Sequence, residues 1–496
     1  MKLNKITILG AIAALTLITS CKTDYLDTEP TTSVGEGLVF SDAENLMAAV
    51  NGMHRRVNTG RYYGQGTWGL PAMMIHIDVM GDDLVFPNNG NGWYVSESRW
   101  NGVISETSDQ VYFFWELWYQ IIKNANNIIV NGSNAAGDAN LRDKAIGEAY
   151  AYRAYAYFTL VQAYGGRYMP GTTNNQPGVV IRTDAGDYDP KARASVEEVY
   201  SQIWEDLDKA EQLLKGKTKG NTSHFNYNTV KGIQARVALT QGLWQKAADA
   251  AVLARQGYTL MDNATYKSGF NSSSNSEWIW GTVSIDEQAE SFAMLHSYLG
   301  RNALSSNVRD CPKVLNIDLY HSFPTSDVRV QVVSPDGEHP SLALASTMKK
   351  FNYTSQKFFI KNPNSSVAAD TPYMRAAEMY LIEAEALAKA GKESESKAVF
   401  AILEKNRNPS YVDGGETGQA YIDKILLSRR LELWGEGFRF YDLKRLNVPL
   451  KRSETAGFNA ATINYVYDMP RESNRWNWLI PRQEIQSNPL VEQNPL

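Results

Sequence analysis

Apolar residues recur at helical spacing along much of the chain, which predicts a body made mainly of α-helices. The first predicted helix spans 42–57, because Ser41 and Glu44 have the spacing of a capping box and an apolar run follows them. The same periodicity predicts further helices at 109–129, 141–164, 195–214, 229–242, 243–255, 372–390, 392–407 and 420–434. Ser195 and Glu198 have the spacing of a second capping box, at the start of the helix 195–214.

Small and aromatic side chains alternate within the predicted helix 141–164, so this helix can pack closely against its neighbours. Successive helices have short connections and form hairpins of roughly 30–40 residues. This pairing is similar to tetratricopeptide repeats, although no consensus recurs at a fixed period. We therefore predict a mainly α fold, in which tetratricopeptide-like helix hairpins form a superhelical body with loop-rich, partly β insertions.

Two long segments interrupt the helical pattern and carry many aromatic side chains. Residues 60–108 combine repeated glycines with tryptophan and tyrosine, and residues 257–371 are rich in Asn, Ser and Gly. Long loops in a folded body are often functional. We therefore predict an N-terminal helical region at 41–256, a loop-rich insertion at 257–371 and a C-terminal helical region at 372–496.

The beginning of the chain has the pattern of a secretory signal peptide. A basic start precedes the apolar run Ile6–Ile18, which is too short to cross a bilayer as a helix. Cys21 follows small residues, an arrangement similar to a bacterial lipobox, in which the cysteine is acylated. We predict a lipoprotein signal peptide at 1–20, lipidation of Cys21 and a tether over 21–40.

Composition limits the possible functions further. The chain has 49 Lys and Arg against 54 Asp and Glu, a net charge of −5, which argues against a nucleic-acid partner. Six His and two Cys are too few for a zinc-cluster or disulfide framework, and no cofactor is predicted. Aromatic residues make up 11% of the chain, and this excess suggests aromatic platforms for a ligand.

Four segments together resemble the SusD/RagB family of Bacteroidetes outer-membrane nutrient-uptake lipoproteins. They are Cys21–Pro30, Glu148–Gly166, Arg375–Ala386, and Arg430–Arg445 with the ending Ile480–Pro495. The residues in them that we expect to form structural ion pairs are Arg153, Glu383, Glu436, Arg439 and Asp442. The resemblance extends over essentially the whole chain and implies a SusD-like fold whose loop-rich part carries a glycan-binding surface.

The resemblance also implies a location and a partner. Family members look like lids over a SusC-like TonB-dependent outer-membrane transporter. We therefore expect a non-enzymatic, lipid-anchored protein on the cell-surface side of the outer membrane, which captures oligosaccharide or polysaccharide and delivers it to such a transporter. A peptide-capturing RagB-like protein of the same fold is the alternative, and a glycoside hydrolase is a further one.

The candidate ligand-binding residues come from the two loop-rich segments, which the family tends to combine into one surface. An aromatic ring can lie against the apolar face of a sugar, while Asp, Asn and Arg form hydrogen bonds with its hydroxyl groups. We predict Trp93, Trp100 and Tyr298 as platforms. The other predicted ligand-binding residues are Tyr94, Trp280, Asp78, Asp83, Arg99 and Asn101.

The acidic residues near Asp78 leave two further possibilities open. Asp78, Asp82 and Asp83 could supply the carboxylate pair of a hydrolase, but the sequence does not give the distance between them. Asp82 and Asp83 with Asn88 could hold a structural Ca²⁺, although their spacing is not that of an EF-hand. No lipase-type nucleophile elbow, zinc-protease motif or Walker-type loop occurs in the sequence.

Overall fold

The computed structural model describes residues 40–60, 66–284, 294–360 and 369–496. The signal peptide, Cys21 and the tether before residue 40 lie outside the described residues, so these predictions stay predictions. Within the described ranges the fold is mainly α, as predicted, and short strands occur in the loop-rich segments.

Eighteen α-helices lie in the described ranges. The first nine are α1 (Ala43–Thr59), α2 (Gly69–Val79), α3 (Val95–Ser98), α4 (Asp109–Gly132), α5 (Ala139–Tyr164), α6 (Val196–Leu214), α7 (Tyr227–Gln241), α8 (Trp244–Arg255) and α9 (Asn263–Lys267). The other nine are α10 (His296–Leu299), α11 (Ser306–Asp310), α12 (Ile317–His321), α13 (Val328–Gln331), α14 (Ala376–Lys389), α15 (Glu393–Arg407), α16 (Gly418–Glu432), α17 (Arg439–Leu446) and α18 (Arg482–Ser487). Two 3₁₀-helices within the same ranges span Gly102–Ile104 and Asn474–Trp476.

The strands in the described ranges are short and form three antiparallel sheets. They are β1 (Leu84–Val85), β2 (Trp278–Gly281), β3 (Val314–Leu315), β4 (Val333–Ser334), β5 (Thr354–Ser355), β6 (Pro372–Arg375), β7 (Leu450–Lys451) and β8 (Asp468–Met469). The four-stranded sheet has the order β1-β3-β5-β4, while β2 pairs with β6 and β7 with β8. Leu84 pairs with Leu315. The four-stranded sheet therefore joins the two segments that were predicted as loop-rich.

Helix caps follow the sequence pattern in part. At α6 the predicted capping box is confirmed, because the Ser195 hydroxyl accepts from the Glu198 N–H at 3.2 Å and the Glu198 carboxylate accepts from the Ser195 N–H at 2.7 Å. At α1 the predicted Ser41 cap is wrong. Asp42 has the extended backbone of an N-cap, and its carboxylate accepts from the Asn45 N–H at 2.8 Å.

Consecutive helices pack as hairpins, with α5 between α4 and α6. Every residue from Ala151 to Val161 is buried, and the alternating small side chains leave room for the rings between them. At Gly147 an added Cβ would lie 2.9 Å from Cγ of Leu214, so the glycine permits the close approach of α5 and α6. The likeness of these hairpins to tetratricopeptide repeats stays a prediction.

Ion pairs between elements support this packing. The Arg153 guanidinium on α5 donates to both carboxylate oxygens of Asp206 on α6, at 2.9 and 2.6 Å. The remaining predicted ion-pair residues are also confirmed, with the pairs Glu383–Arg255, Glu436–Arg375, Arg439–Asp82 and Asp442–Arg429. None of the helices in the described ranges combines the length and apolarity that crossing a membrane requires.

The sequence suggested a loop throughout the segment 60–108. This prediction is wrong, because the segment contains α2. Every residue of α2 is buried. A helix that is surrounded by other elements needs no polar face, so its sequence shows no helical period. Gly69 begins α2 with φ of +55°, and a Cβ there would lie 2.3 Å from the carbonyl oxygen of Val57.

The C-terminal helical region also begins differently from the prediction. Pro372 starts a strand, since residues 372–375 pair with β2, and α14 begins only at Ala376. The strand β2 lies within the insertion predicted as partly β, and its tryptophans Trp278 and Trp280 are both buried.

Candidate ligand-binding surface

The two loop-rich segments meet at one surface, which we call the loop junction and define as residues 88–93 and 304–310. The side-chain amide of Asn91 donates to the hydroxyl of Ser306 at 3.1 Å. The side-chain amide of Asn88 donates to the backbone carbonyl of Asp310 at 3.3 Å. The strand β1 comes shortly before residues 88–93 in the chain, and β3 comes shortly after residues 304–310. Because β1 pairs with β3, the pairing holds the two segments side by side.

The backbone of residues 88–92 is tightly folded. The Gly90 N–H donates to the Asn88 side chain at 2.7 Å, and the Gly92 N–H donates to the Asn89 carbonyl at 2.8 Å. Gly90 has φ of +49°, and a Cβ there would lie 2.6 Å from Cβ of Cys311. Only glycine fits this position, which keeps Asn89 and Asn91 on the exposed side of the turn.

The loop junction exposes both apolar and polar groups. Trp93 is half-buried and packs partly on the core, and Leu304 is 50% exposed. Trp93 comes two residues after Asn91, and Leu304 comes two residues before Ser306, the two residues that the hydrogen bond joins. The guanidinium of Arg309 is partly exposed and pairs with Asp310. The surface therefore combines apolar area with amide and guanidinium groups, which is the chemistry that a sugar requires.

Trp100 is not exposed at this surface, and its prediction as a platform is wrong. Its side chain has 0% exposure, and its indole N–H donates to the Met80 carbonyl at 3.0 Å. Its ring makes an edge contact with Trp476, with 4.7 Å between centroids. The indole fills the core beneath the loops because α2 and the C-terminal segment close over it.

Tyr94, Tyr298 and Trp280 are also buried, so the prediction that they face a ligand from the surface is wrong. The rings of Tyr94 and Tyr298 pack edge to face at 4.7 Å, which joins the two loop-rich segments from below. Burial raises the pKa of the Tyr94 hydroxyl well above its usual range. Trp280 packs against Tyr155 and Phe225. The Tyr94 and Tyr298 rings therefore stabilise the junction instead of forming its outer face, whereas Trp280 packs elsewhere, against the helices.

The predicted ligand carboxylates of Asp78 and Asp83 have structural partners. Asp78 accepts from three backbone N–H groups at the start of α17, those of Gly437, Phe438 and Arg439, at 2.9, 3.0 and 3.1 Å. Asp83 accepts from the guanidinium of Arg430 at 2.6 Å. Both carboxylates are buried, so their predicted contact with a ligand is wrong.

Asp82 completes this group and bears on the possible Ca²⁺ site. Burial opposes its ionisation, but Arg439, Arg430 and Arg452 together outweigh burial and lower the pKa of the Asp82 carboxyl below its usual value. The Asn88 side chain donates to the Asp310 carbonyl and accepts from the Gly90 N–H. Because guanidinium groups already neutralise Asp82 and Asp83, this arrangement favours neither the Ca²⁺ site nor a hydrolase pair.

Arg99 and Asn101 complete the set of predicted residues. The Arg99 guanidinium donates to the carbonyls of Thr462 and Ala461 at 2.7 and 3.0 Å, so its polar groups hold a C-terminal loop. Asn101 is exposed, and its role in ligand binding stays a prediction. Leu304, Ser306 and Arg309 also lie at the loop junction but are not among the predicted residues, although an isolated leucine among Asn and Ser residues is a signal of exposure that could have identified Leu304.

A separate cavity of about 510 Å³ lies between α1, β2, β6 and the segment before α7. Its walls include His54, His224, Tyr152, Trp280 and Tyr373. Of the predicted ligand-binding residues only Trp280 lies there. His54, His224 and the neighbouring Glu148 form a group of side chains that could hold a metal ion.

Comparison with known proteins identifies the family. The family model described as "SusD family" matches residues 341–496, and the one described as "Starch-binding associating with outer membrane" matches residues 24–239. Neither description names an enzyme. Two relatives from Formosa agariphila are SusD-like protein P2, 24% identical over the full length of both chains, and SusD-like protein P38, 22% identical over 97% of each.

Solved structures share the fold. A SusD-like carbohydrate binding protein from Bacteroides vulgatus matches 91% of this chain and 98% of its own, with a TM-score of 0.80 and 22% identity. A SusD superfamily protein from Bacteroides thetaiotaomicron matches 92% of this chain and 100% of its own, with a TM-score of 0.76 and 22% identity. With the matches to both family models, these similarities show that the chain belongs to the SusD/RagB family.

Proposed function

We propose that this protein binds a glycan at the outer membrane through the loop junction and delivers it to a SusC-like TonB-dependent transporter. The observation that carries the proposal is the meeting of two distant segments, joined by the hydrogen bond between Asn91 and Ser306, at a surface that exposes Trp93 and Leu304. The family description as starch-binding and outer-membrane associated supports the same function.

Recognition at the loop junction combines two kinds of contact. The indole of Trp93 and the side chain of Leu304 offer apolar area to the C–H face of a sugar ring. The exposed amides of Asn89 and Asn91 can donate to and accept from the hydroxyl groups. Because hydrogen bonds already fold the asparagine turn, little conformational entropy is lost when the ligand binds.

The proposed activity is binding without cleavage. A glycoside hydrolase needs two carboxyl groups that face the scissile bond. The carboxylates of Asp78 and Asp83, which could have formed such a pair, are buried and accept hydrogen bonds from α17 and Arg430. These contacts therefore favour a glycan-binding protein over a glycoside hydrolase.

Delivery to a transporter rests on the sequence and on family membership. Acylation of Cys21 would hold the protein at the membrane, where the tether 21–40 keeps it close to its partner. Confinement of this kind raises the effective concentration of the two proteins, so a modest affinity for the glycan is sufficient.

Native affinity electrophoresis against a panel of polysaccharides tests the proposal. We expect at least one polysaccharide to retard the unaltered protein and Trp93→Ala to weaken the retardation. Loss of a central aromatic contact costs about 2 kcal/mol, a roughly 30-fold loss of affinity. Trp244→Ala, which removes another half-buried tryptophan on α8, is the matched control and should bind as the unaltered protein does.

Three outcomes would contradict the proposal. Equal retardation of Trp93→Ala and the unaltered protein would exclude the loop junction as the binding surface. Quenching of tryptophan fluorescence by oligopeptides, without any effect of glycans, would favour the peptide-capturing alternative. Release of reducing ends from a bound polysaccharide would identify an enzyme.

A further inference from the structure

Three side chains with metal-binding chemistry converge beside the cavity. His54 lies on α1, Glu148 lies on α5, and His224 lies in the segment before α7. His54 and His224 are each 8% exposed, and Glu148 is fully buried. The three residues are far apart in the sequence, so the fold and not a local motif brings them together.

The three ligand atoms form a nearly regular triangle. Nε2 of His54 lies 2.9 Å from Oε2 of Glu148 and 3.1 Å from Nδ1 of His224, and the last two atoms are also 3.1 Å apart. Ligand atoms that bind a metal at about 2.1 Å and at right angles lie about 3.0 Å from one another. The triangle therefore fits three adjacent positions of an octahedral ion, the arrangement of two histidines and one carboxylate that leaves positions open.

Neighbouring groups orient the three side chains. The Tyr152 hydroxyl contacts Nδ1 of His54, the ring nitrogen on the side away from Glu148. The backbone N–H of Phe225 donates to Oε2 of Glu148 at 3.0 Å. Outer contacts of this kind fix the orientation of metal-binding histidines and carboxylates.

The charge around Glu148 differs from that around three other buried glutamates. Glu378, Glu385 and Glu432 each receive an arginine guanidinium. For Glu148, the ion-pair partners among the described residues are the two imidazoles. A divalent cation at this point would supply the positive charge that arginine supplies elsewhere in the fold.

The cavity gives an ion a way in and space for further ligands. His54, His224 and Tyr152 line it, and its volume of about 510 Å³ is large enough for several water molecules. Access from solvent and room in the coordination sphere are both requirements of a metal site.

We propose that His54, Glu148 and His224 bind one divalent transition-metal ion, whose remaining coordination positions face the cavity. The ion would connect α1, α5 and the segment before α7. The competing arrangement has no metal, and both imidazoles then donate N–H groups to the Glu148 carboxylate. The proposal does not depend on glycan binding at the loop junction, which uses none of these residues.

Zinc titration of the full chain without a histidine tag, in competition with a chromophoric chelator, tests the proposal. We expect one Zn²⁺ per chain, and at least a roughly 100-fold loss of affinity in Glu148→Gln and in His224→Gln. Tyr152→Phe keeps the ring and removes only the orienting hydroxyl, so its affinity should fall by about 10–100-fold. His321→Ala, which removes an exposed histidine, is the matched control and should leave the affinity unchanged.

Two results of the titration would overturn the proposal: absence of stoichiometric zinc binding, or unchanged affinity in folded His224→Gln. Circular dichroism establishes that each variant is folded. If the ligand variants fail to fold, anomalous diffraction at the zinc edge from crystals of the unaltered chain decides the question. A peak bonded to the three ligand atoms supports the proposal, and a zinc peak elsewhere with none at this triangle contradicts it.

Discussion

The burial of Trp100 leads to a prediction that separates a core residue from a ligand platform. Trp100→Ala removes an indole with 0% exposure that packs against Trp476 and Phe440. It also removes the N–H donor to the Met80 carbonyl. The variant should therefore lose stability and keep its affinity for glycan in the molecules that remain folded.

The size of the effect follows from these contacts. Replacing a buried tryptophan or phenylalanine by alanine costs about 3–5 kcal/mol, because the removed ring leaves a cavity. A buried carbonyl without its donor adds a cost of about 1–3 kcal/mol where water does not replace the lost bond. We expect the free energy of unfolding to fall by about 4 kcal/mol, a large part of the 5–15 kcal/mol that is usual for a folded protein.

Urea unfolding followed by circular dichroism measures the loss, and affinity electrophoresis of the folded protein measures binding. Trp244→Ala on the half-buried Trp244 is the control, and it should lower the free energy of unfolding by only about 1 kcal/mol. Our reasoning would be refuted if Trp100→Ala unfolded at the same urea concentration as the unaltered protein but no longer bound glycan. That result would mean that the Trp100 indole lies at the ligand surface.

Three further predictions concern stability. Glu432→Gln weakens the buried ion pairs of Glu432 with three arginines and should lower the free energy of unfolding by about 3–5 kcal/mol, and an unchanged urea midpoint would contradict this. Burial opposes the ionisation of Glu385, but Arg445, Lys389 and Arg429 together outweigh it and hold the pKa of Glu385 well below its usual value. The resulting stability is present above the unfolded pKa of about 4.5 and is lost as the pH falls below it, so urea midpoints should fall at acid pH, and less steeply in Glu385→Gln. Ser195→Ala removes the α6 cap and should cost about 1 kcal/mol in thermal or urea unfolding, whereas Thr172→Ala, outside the helices, should cost less.

Much of the helical body could be predicted from the sequence. The bounds of α5 and α6 follow from apolar periodicity and from the capping box at Ser195 and Glu198, both of which are local properties. Arg153 was expected to form a structural ion pair, but the sequence did not identify Asp206 as its partner. α2 could not be predicted in this way, since a helix that is buried on every side has neither a polar face nor a period.

The loop junction could be predicted only in outline. The resemblance to the family indicated that the two loop-rich segments combine, and the contacts of Asn91 with Ser306 and of Tyr94 with Tyr298 join them. The sequence did not indicate which rings face inward. Glycine and asparagine neighbours suggested that Trp100 is exposed, but α2 and the C-terminal segment cover it.

The histidine and glutamate triangle was beyond prediction for a different reason. His54 and Glu148 are 94 positions apart, and Glu148 and His224 are 76 positions apart. Spacings of this length carry no local signal, and the low histidine count had argued against a metal framework. The three side chains come together only because α1 and the segment before α7 both pack against α5.

Hydrogen-exchange mass spectrometry with and without the bound glycan tests the central claim most directly, because it locates the ligand without any substitution. We predict that the glycan slows amide exchange in residues 88–93 and 304–310 together. Protection confined to other surfaces, such as the cavity walls at 51–58 and 221–224, with unchanged exchange at the loop junction, would contradict the account.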